Sequence, residues 1–137
     1  MKPEDRSNYV TIASANINYL SALIRQLEEL RDEECEDEYG TLRASQHAFE
    51  QARDLLTNAA IHMALKGDRQ IPYGCASTDS EGGIRIEWVR PTAGVHLVIP
   101  ANVEGDKYVY HEQGDHYGTE PATAEAIARW LSILSDE

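Results

Sequence analysis

Apolar residues recur along the first part of the chain at Val10, Ala13, Ile17, Leu20, Ile24 and Leu27. Steps alternating between three and four place all six on one stripe of an α-helix. Ile12, Tyr19 and Leu23 widen that stripe, and Ser7 is positioned to cap its start through its hydroxyl. A second stripe runs through Phe49, Ala52, Leu56, Ala59 and Met63, with Leu55 and Leu65 beside it. It is expected to close at Gly67 in the left-handed conformation, with Lys66 set against the negative end of the helix dipole. Between the two, Tyr39-Gly40-Thr41 offers a glycine to stop one helix and a threonine to cap the next. Two helices with so short a connection run antiparallel and share their apolar faces, so residues 7–67 read as a helical hairpin.

After Gly67 the period drops from 3.6 to 2. GIRIEWV (Gly83 to Val89), GVHLVIP (Gly94 to Pro100) and DKYVYHE (Asp106 to Glu112) are separated by the turn-rich segments RPTA and NVEG. They read as a meander of three antiparallel strands over residues 71–119, or four if an edge strand forms around Ile71 to Ser77. A return strand at Tyr117, beside Tyr110, is a further candidate. Ile84, Ile86, Trp88, Val95, Leu97, Ile99, Tyr108 and Tyr110 are expected on one apolar face. Residues 121–135 carry helix-start features at Pro121, Thr123 and Glu125 and a stripe of Ile127, Trp130, Leu131 and Leu134 that would cover that face. The expectation is one α+β domain over residues 1–137: a helical hairpin, an antiparallel meander and a closing helix.

Composition narrows what such a domain does. The 137 residues carry a formal charge of −12, which opposes a phosphate backbone, and no basic stripe offsets it, so nucleic acid is not an expected partner. From Glu28 to Glu38, eight carboxylates (Glu28, Glu29, Asp32, Glu33, Glu34, Glu36, Asp37 and Glu38) surround the single Arg31, a local charge of −7. Negative charge at the C-terminal end of a helix costs about 0.3 to 1 kcal/mol per group. The run therefore reads either as a solvated helix end or as the contact for a basic protein. The two cysteines, Cys35 and Cys75, match no metal or redox spacing. The N-terminus has no apolar signal core and there is no run of about 18 apolar residues, so the reading is of a cytoplasmic protein that does not engage a membrane.

The chemistry-bearing residues form no familiar signature: there is no GxxxxGK[ST], GxGxxG or GxSxG. If Ile84, Ile86 and Trp88 point inward, Arg85 and Glu87 point outward, and His96 and His111 are expected on the same outward face as them. A carboxylate beside a histidine can act as a base pair, with the arginine holding an anion. Opposite charges on neighbouring strands also simply stabilise a sheet, and this plainer reading has the greater weight. HEQGDH brings His111, Glu112, Asp115 and His116 around a turn, but matches no closed metal site. His47, Glu50 and His62 lack the paired Glu-x-x-His arrangement of di-metal bundles. No metal or cofactor is therefore expected. Cys75 could act as a nucleophile only with His62, His96 or His111 beside it. Tyr108, Tyr110, Tyr117, Trp88 and Trp130 are read as core aromatics rather than a stacking platform.

EGGIRIEW followed by VHLVIP, YVYHEQGDHYG and a PATAEAIARWL helix resembles small, largely uncharacterised bacterial proteins that share a GG-I/V-x-L/I-E-W strand and a following meander. The resemblance covers roughly the C-terminal half and brings no catalytic residues with it. It implies a bacterial cytoplasmic protein, similar to the accessory proteins of two-gene systems, which would suit an antitoxin-like role. The leading expectation is a non-catalytic, acidic interaction or regulatory protein that binds a basic partner. The alternatives are a small enzyme using Arg85, Glu87, His96 and His111 on an anionic substrate, and a structural homodimer formed through the hairpin.

Overall fold

The computed structural model describes residues 19–32, 35–37, 40–67 and 69–135. Residues 19–32 are helical and are called α1. A two-stranded ribbon follows, β1 (Cys35–Asp37) with β2 (Gly40–Leu42), and then α2 (Gln46–Gly67). β3 (Cys75–Thr78), β4 (Ile84–Val89), β5 (Ala93–Ile99), β6 (Tyr108–Gln113) and β7 (His116–Pro121) form one antiparallel sheet in sequence order, and α3 (Ala124–Ser135) closes the chain. The fold is α+β with a helical hairpin before the sheet. The sheet has five strands rather than three or four, because both the edge strand at Cys75 and the return strand at Tyr117 form.

The stripe on α2 is buried as its spacing requires: Phe49, Ala52, Leu56, Ala59 and Met63 are all inaccessible or nearly so. On α1, Leu23 and Leu27 join the same core. Ser7, Val10, Ala13 and Ile17 lie outside the described residues. The connection departs from expectation. Thr41 sits in β2, and the cap of α2 is Ser45, whose hydroxyl accepts from Ala48 N at 3.0 Å and donates to the Ala101 carbonyl at 2.7 Å. A hydroxyl that bridges to a second segment anchors the helix start better than Thr41, which is committed to a strand ladder. The other end differs too. Gly67 is not left-handed; the positive-φ glycines among the described residues are Gly82 and Gly114. The chain instead leaves α2 with the Arg69 amide bonded back to the Met63 carbonyl at 3.1 Å.

Gly82-Gly83 makes the β3–β4 turn, and each glycine is needed for a different reason. Gly82 has φ of 90°, a region that L side chains rarely adopt. At Gly83 an added Cβ would stand 2.7 Å from the Ile99 carbonyl oxygen, with the Asp79 carboxylate closer still. That carboxylate holds the turn by accepting from Glu81 N and Gly83 N, each at 2.8 Å. The Gly82 carbonyl accepts from Ser45 N at 2.9 Å, tying the turn to the start of α2.

One face of the sheet is covered by helices. Ile84, Ile86, Trp88, Val95, Leu97, Ile99 and Val109 point to it and are buried, alongside Ile127, Leu131 and Leu134 of α3. Trp88 satisfies its indole N–H on the Pro72 carbonyl at 2.9 Å. Thr123 caps α3 by accepting from Ala126 N at 3.1 Å, whereas Pro121, expected at the helix start, ends β7. The free edge of β3 is sealed by α1. The Gln26 side chain accepts from Ala76 N at 2.7 Å and donates to the Gly74 carbonyl at 3.3 Å.

The register corrects one expectation that matters for function. Val95 pairs with His111 and Leu97 with Val109, so Val109 and His111 face the helices, while Tyr108 and Tyr110 face away. The run Tyr-Val-Tyr is apolar in both phases, so its period cannot choose a face. Burial decides it: valine has no polar atom to satisfy, whereas each tyrosine hydroxyl reaches water or a polar partner on the far side. His111 keeps its place on the helix side by stacking on Trp130, ring centroids 3.6 Å apart and 11° from parallel.

Candidate functional site

The far face of the sheet is built from three cross-strand rows, which the registers define. The first runs Ser77, Arg85, Val98, Tyr108, Pro121. The second runs Cys75, Glu87, His96, Tyr110, Thr119. The third runs Val89, Gly94, Glu112, Tyr117. Arg85, Glu87 and His96 therefore do share a face, as the alternation of EGGIRIEW implies, but His111 is on the opposite one. Glu112 takes the place expected of His111. The sign available in sequence was that Glu112 lies two residues after Tyr110 and must share its face; reading that required the phase of β6.

His96 is the centre of the cluster. Its Nδ1 lies 3.8 Å from Glu87 Oε1 and its Nε2 lies 4.0 Å from Glu112 Oε1. Its ring meets that of Tyr110 at a centroid separation of 5.5 Å and a tilt of 56°. The Tyr110 hydroxyl donates to Glu112 Oε2 at 3.4 Å. Partial burial of the hydroxyl, with the nearby Glu112 carboxylate next in importance, raises the pKa of Tyr110 above its ordinary 10.0. Gly94 makes the approach of the two side chains feasible, since a Cβ there would stand 3.0 Å from Glu112 Oε1 and 3.4 Å from His96 Nε2. The His96 side chain is 23% accessible, while Glu87 and Glu112 retain 42% and 45%. Around them Val89 and Tyr117 are 58% and 76% exposed.

A histidine between two carboxylates can hold and pass a proton, but such chemistry needs a concavity that positions a substrate. Two sizeable cavities of the described residues lie elsewhere. One, of ≈390 Å³, opens between α2 and α3, and the other, of ≈490 Å³, lies among His47, Gln51, Val103, Lys107 and Pro121. Cys75 is exposed on β3 and shares a row with Glu87 and His96, with Glu87 as its direct cross-strand neighbour. Among the described residues no group of three or more His, Cys, Asp or Glu is arranged to hold a metal ion. No helix of the described residues is long and apolar enough to cross a membrane.

The acidic run is divided by the fold. Glu28, Glu29 and Asp32 are exposed at the end of α1, and Glu36 and Asp37 lie in β1. Glu33, Glu34 and Glu38 fall outside the described residues. Arg31 is held on both sides: its guanidinium lies 4.2 Å from the centre of the Phe49 ring and binds Asp32 through two contacts of 2.7 and 3.0 Å. That hydrogen bonding lowers the Asp32 pKa and raises that of Arg31. The run's one cation is thus already engaged, which leaves its net negative character to the surroundings. Comparison of the chain with protein-family models, curated proteins and solved structures returned no match.

Proposed function

We propose that the chain is a non-catalytic interaction protein that lays the uncovered face of its sheet against a basic protein surface, in an antitoxin-like or otherwise regulatory role. The observation that carries this reading is the one-sidedness of the sheet. Among the described residues, the core that α1, α2 and α3 pack lies on one face of the sheet, and the other face presents Arg85, Val89, Val98, Tyr108, Tyr110 and Tyr117 around Glu87, His96 and Glu112. Half-buried and exposed tyrosines and valines surrounding a few polar groups are the composition of a contact surface, where aromatic side chains supply area at low entropic cost. Two carboxylates against Arg85 within it, on a chain of net charge −12, favour a cationic partner and speed its encounter. The acidic end of α1 supplies a second negative region for the same partner.

The test uses two charge-reversed variants and a tagged wild-type chain expressed in a bacterial host that encodes it. One variant carries Glu87→Lys and Glu112→Lys, and the other carries Glu33→Lys, Glu34→Lys, Glu36→Lys and Asp37→Lys. Loss of a basic co-purifying protein with the first variant places the contact on the sheet face, and loss with the second places it on the acidic run. If both variants retain every protein the wild type retains, the reading fails.

The catalytic reading now rests on Arg85, Glu87, His96 and Glu112, with His111 removed from the group by the register. Its supporting observation is His96 set between two carboxylates, and turnover of an anionic substrate abolished by His96→Gln would favour it over the contact surface.

A further inference from the structure

We propose that the outer edge of β7 pairs with the β7 of a second copy of this chain, the two strands running antiparallel about a two-fold axis at Gly118. Among the described residues β7 ends the five-stranded sheet, and His116, Tyr117, Thr119 and Pro121 are exposed along it. The opposite edge, β3, is closed by the Gln26 side chain on the Ala76 amide and the Gly74 carbonyl. An edge strand offers a row of backbone donors and acceptors, which folds that stay monomeric blunt with lysines, bulges or a covering segment. β7 has no lysine or arginine, and its register against β6 runs without a bulge from His116 to Pro121.

The ladder fixes which backbone groups face outward. Ala122 N donates to the Lys107 carbonyl at 3.2 Å, so by alternation Glu120, Gly118 and His116 turn their amides and carbonyls toward β6. Tyr117, Thr119 and Pro121 turn theirs away from it. A two-fold axis at Gly118 sets Tyr117 of each copy opposite Thr119 of the other, and each such pair exchanges two N–H···O bonds. Both outward donors of each strand thereby find acceptors. The two glycines meet at the axis in the position where paired backbones come closest, about 4.5 Å between Cα atoms. Neither copy has a side chain there, and the space over Gly118 is already filled by the His111 ring, since an added Cβ would stand 3.2 Å from its Cε1.

Charge and symmetry select a second copy as the occupant. A chain of net charge −12 repels its own kind over much of its surface. β7 escapes that repulsion, because its one carboxylate, Glu120, is already paired with Arg129 and in this register lies opposite His116 of the second copy. The Glu112 carboxylates of the two copies stay three strand spacings apart, about 14 Å, beyond the Debye length of about 8 Å at physiological salt. Tyr117, 76% exposed, gains the β-branched Thr119 of the other copy as a cross-strand neighbour on the uncovered face. A foreign strand would have to match this edge, whereas a copy of β7 matches it by symmetry. The inference does not rest on a basic partner, since it uses β7 alone. It joins the two sheets into one and their uncovered faces into one surface.

The experiment is sedimentation equilibrium of the full chain at physiological salt, read beside amide hydrogen exchange at the two ends of the concentration range. Contact through one strand pair falls below the roughly 1,200 Å² of a standard interface, so a monomer–dimer equilibrium with a dissociation constant of about 10 to 300 µM is expected. Between about 10 µM and about 1 mM, exchange at Tyr117 and Thr119 should slow about threefold or more. Thr119→Pro removes an outward N–H without touching the β6 ladder, and Thr119→Glu sets carboxylates diagonally across the axis. Each should weaken dimerisation about tenfold or more, while Ser80→Glu, the same charge change at the β3–β4 turn, should alter it less than about twofold. A monomer at every concentration, equal weakening by Thr119→Glu and Ser80→Glu, or a dimer whose Tyr117 and Thr119 amides exchange as fast as in dilute solution overturns the proposal. Slow exchange at both amides in the dilute monomer would show the chain covering its own edge, and would overturn it likewise.

Discussion

The two faces of the five-stranded sheet come from the same strands and alternate residue by residue, yet the helices make them different materials. On the covered face Ile84, Ile86, Trp88, Leu97, Ile99 and Val109 are completely inaccessible. On the uncovered face the neighbours of those residues, Arg85, Glu87, Val89, His96 and Tyr110, are half-buried or exposed. Position on one face or the other decides how much a side chain contributes to folding, because burial energy scales with the apolar area removed from water. A residue whose loss leaves stability unchanged is free to serve a partner, and in this fold those residues sit together.

The largest effect that separates the faces is expected at Trp88. Trp88→Ala removes the biggest side chain in the core and strands the Pro72 carbonyl it donates to, at a cost of about 3 to 5 kcal/mol. The adjacent change Val89→Ala, on the uncovered face, should stay within about 0.5 kcal/mol. Urea unfolding of both variants measures the difference. Similar losses at the two positions would mean that something covers the second face in solution.

A histidine pair tests the register itself. His111 stacks on Trp130 under α3, whereas His96 lies between exposed carboxylates. His111→Ala should cost about 1 to 2 kcal/mol, and His96→Ala less than about 0.5 kcal/mol. The order would reverse if β6 were in the opposite phase.

These two pairs also show how far the sequence could be read. The phase of β4 was legible because IRIEWV strictly alternates apolar with charged residues, and the helix stripes were legible because only one period fits them. The phase of β6 was not, because Tyr108, Val109 and Tyr110 can all be buried, and the choice is made by Trp130 arriving from a helix some twenty residues later. For the same reason Arg85, Glu87 and His96 could be grouped from sequence, while Glu112 could not be added to them nor His111 taken away. The α2–α3 groove was invisible for another reason. Its lining residues lie on separate elements, and no linear pattern records that Lys66, Arg69 and Arg129 meet there.

The seam between the faces is the β3 edge, where Gln26 engages backbone groups at Gly74 and Ala76. Gln26→Ala leaves a partly buried amide without its partner and should cost about 1 kcal/mol. It should also speed hydrogen exchange at Ala76 selectively, since an unsealed edge strand opens to water and to other strands. Exchange at Ala76 unchanged from wild type would show that α1 does not guard this edge.

The smallest expected effect reads the uncovered face directly, through Tyr110. Its pKa is raised by desolvation first and by Glu112 second, so the folded state holds the proton to higher pH than the unfolded state does. Between the unfolded and folded values the native chain binds more protons, and its stability therefore falls as pH rises through that window, above about 10. In Glu112→Gln the charge is gone while the desolvation remains, so the titration should move part of the way back toward the ordinary tyrosine value. With seven tyrosines in the chain, Tyr110→Phe identifies the late-titrating component in a spectrophotometric titration. A Tyr110 turned toward the helices would have no carboxylate neighbour to remove, and the same substitution at Glu112 would leave its titration where it was.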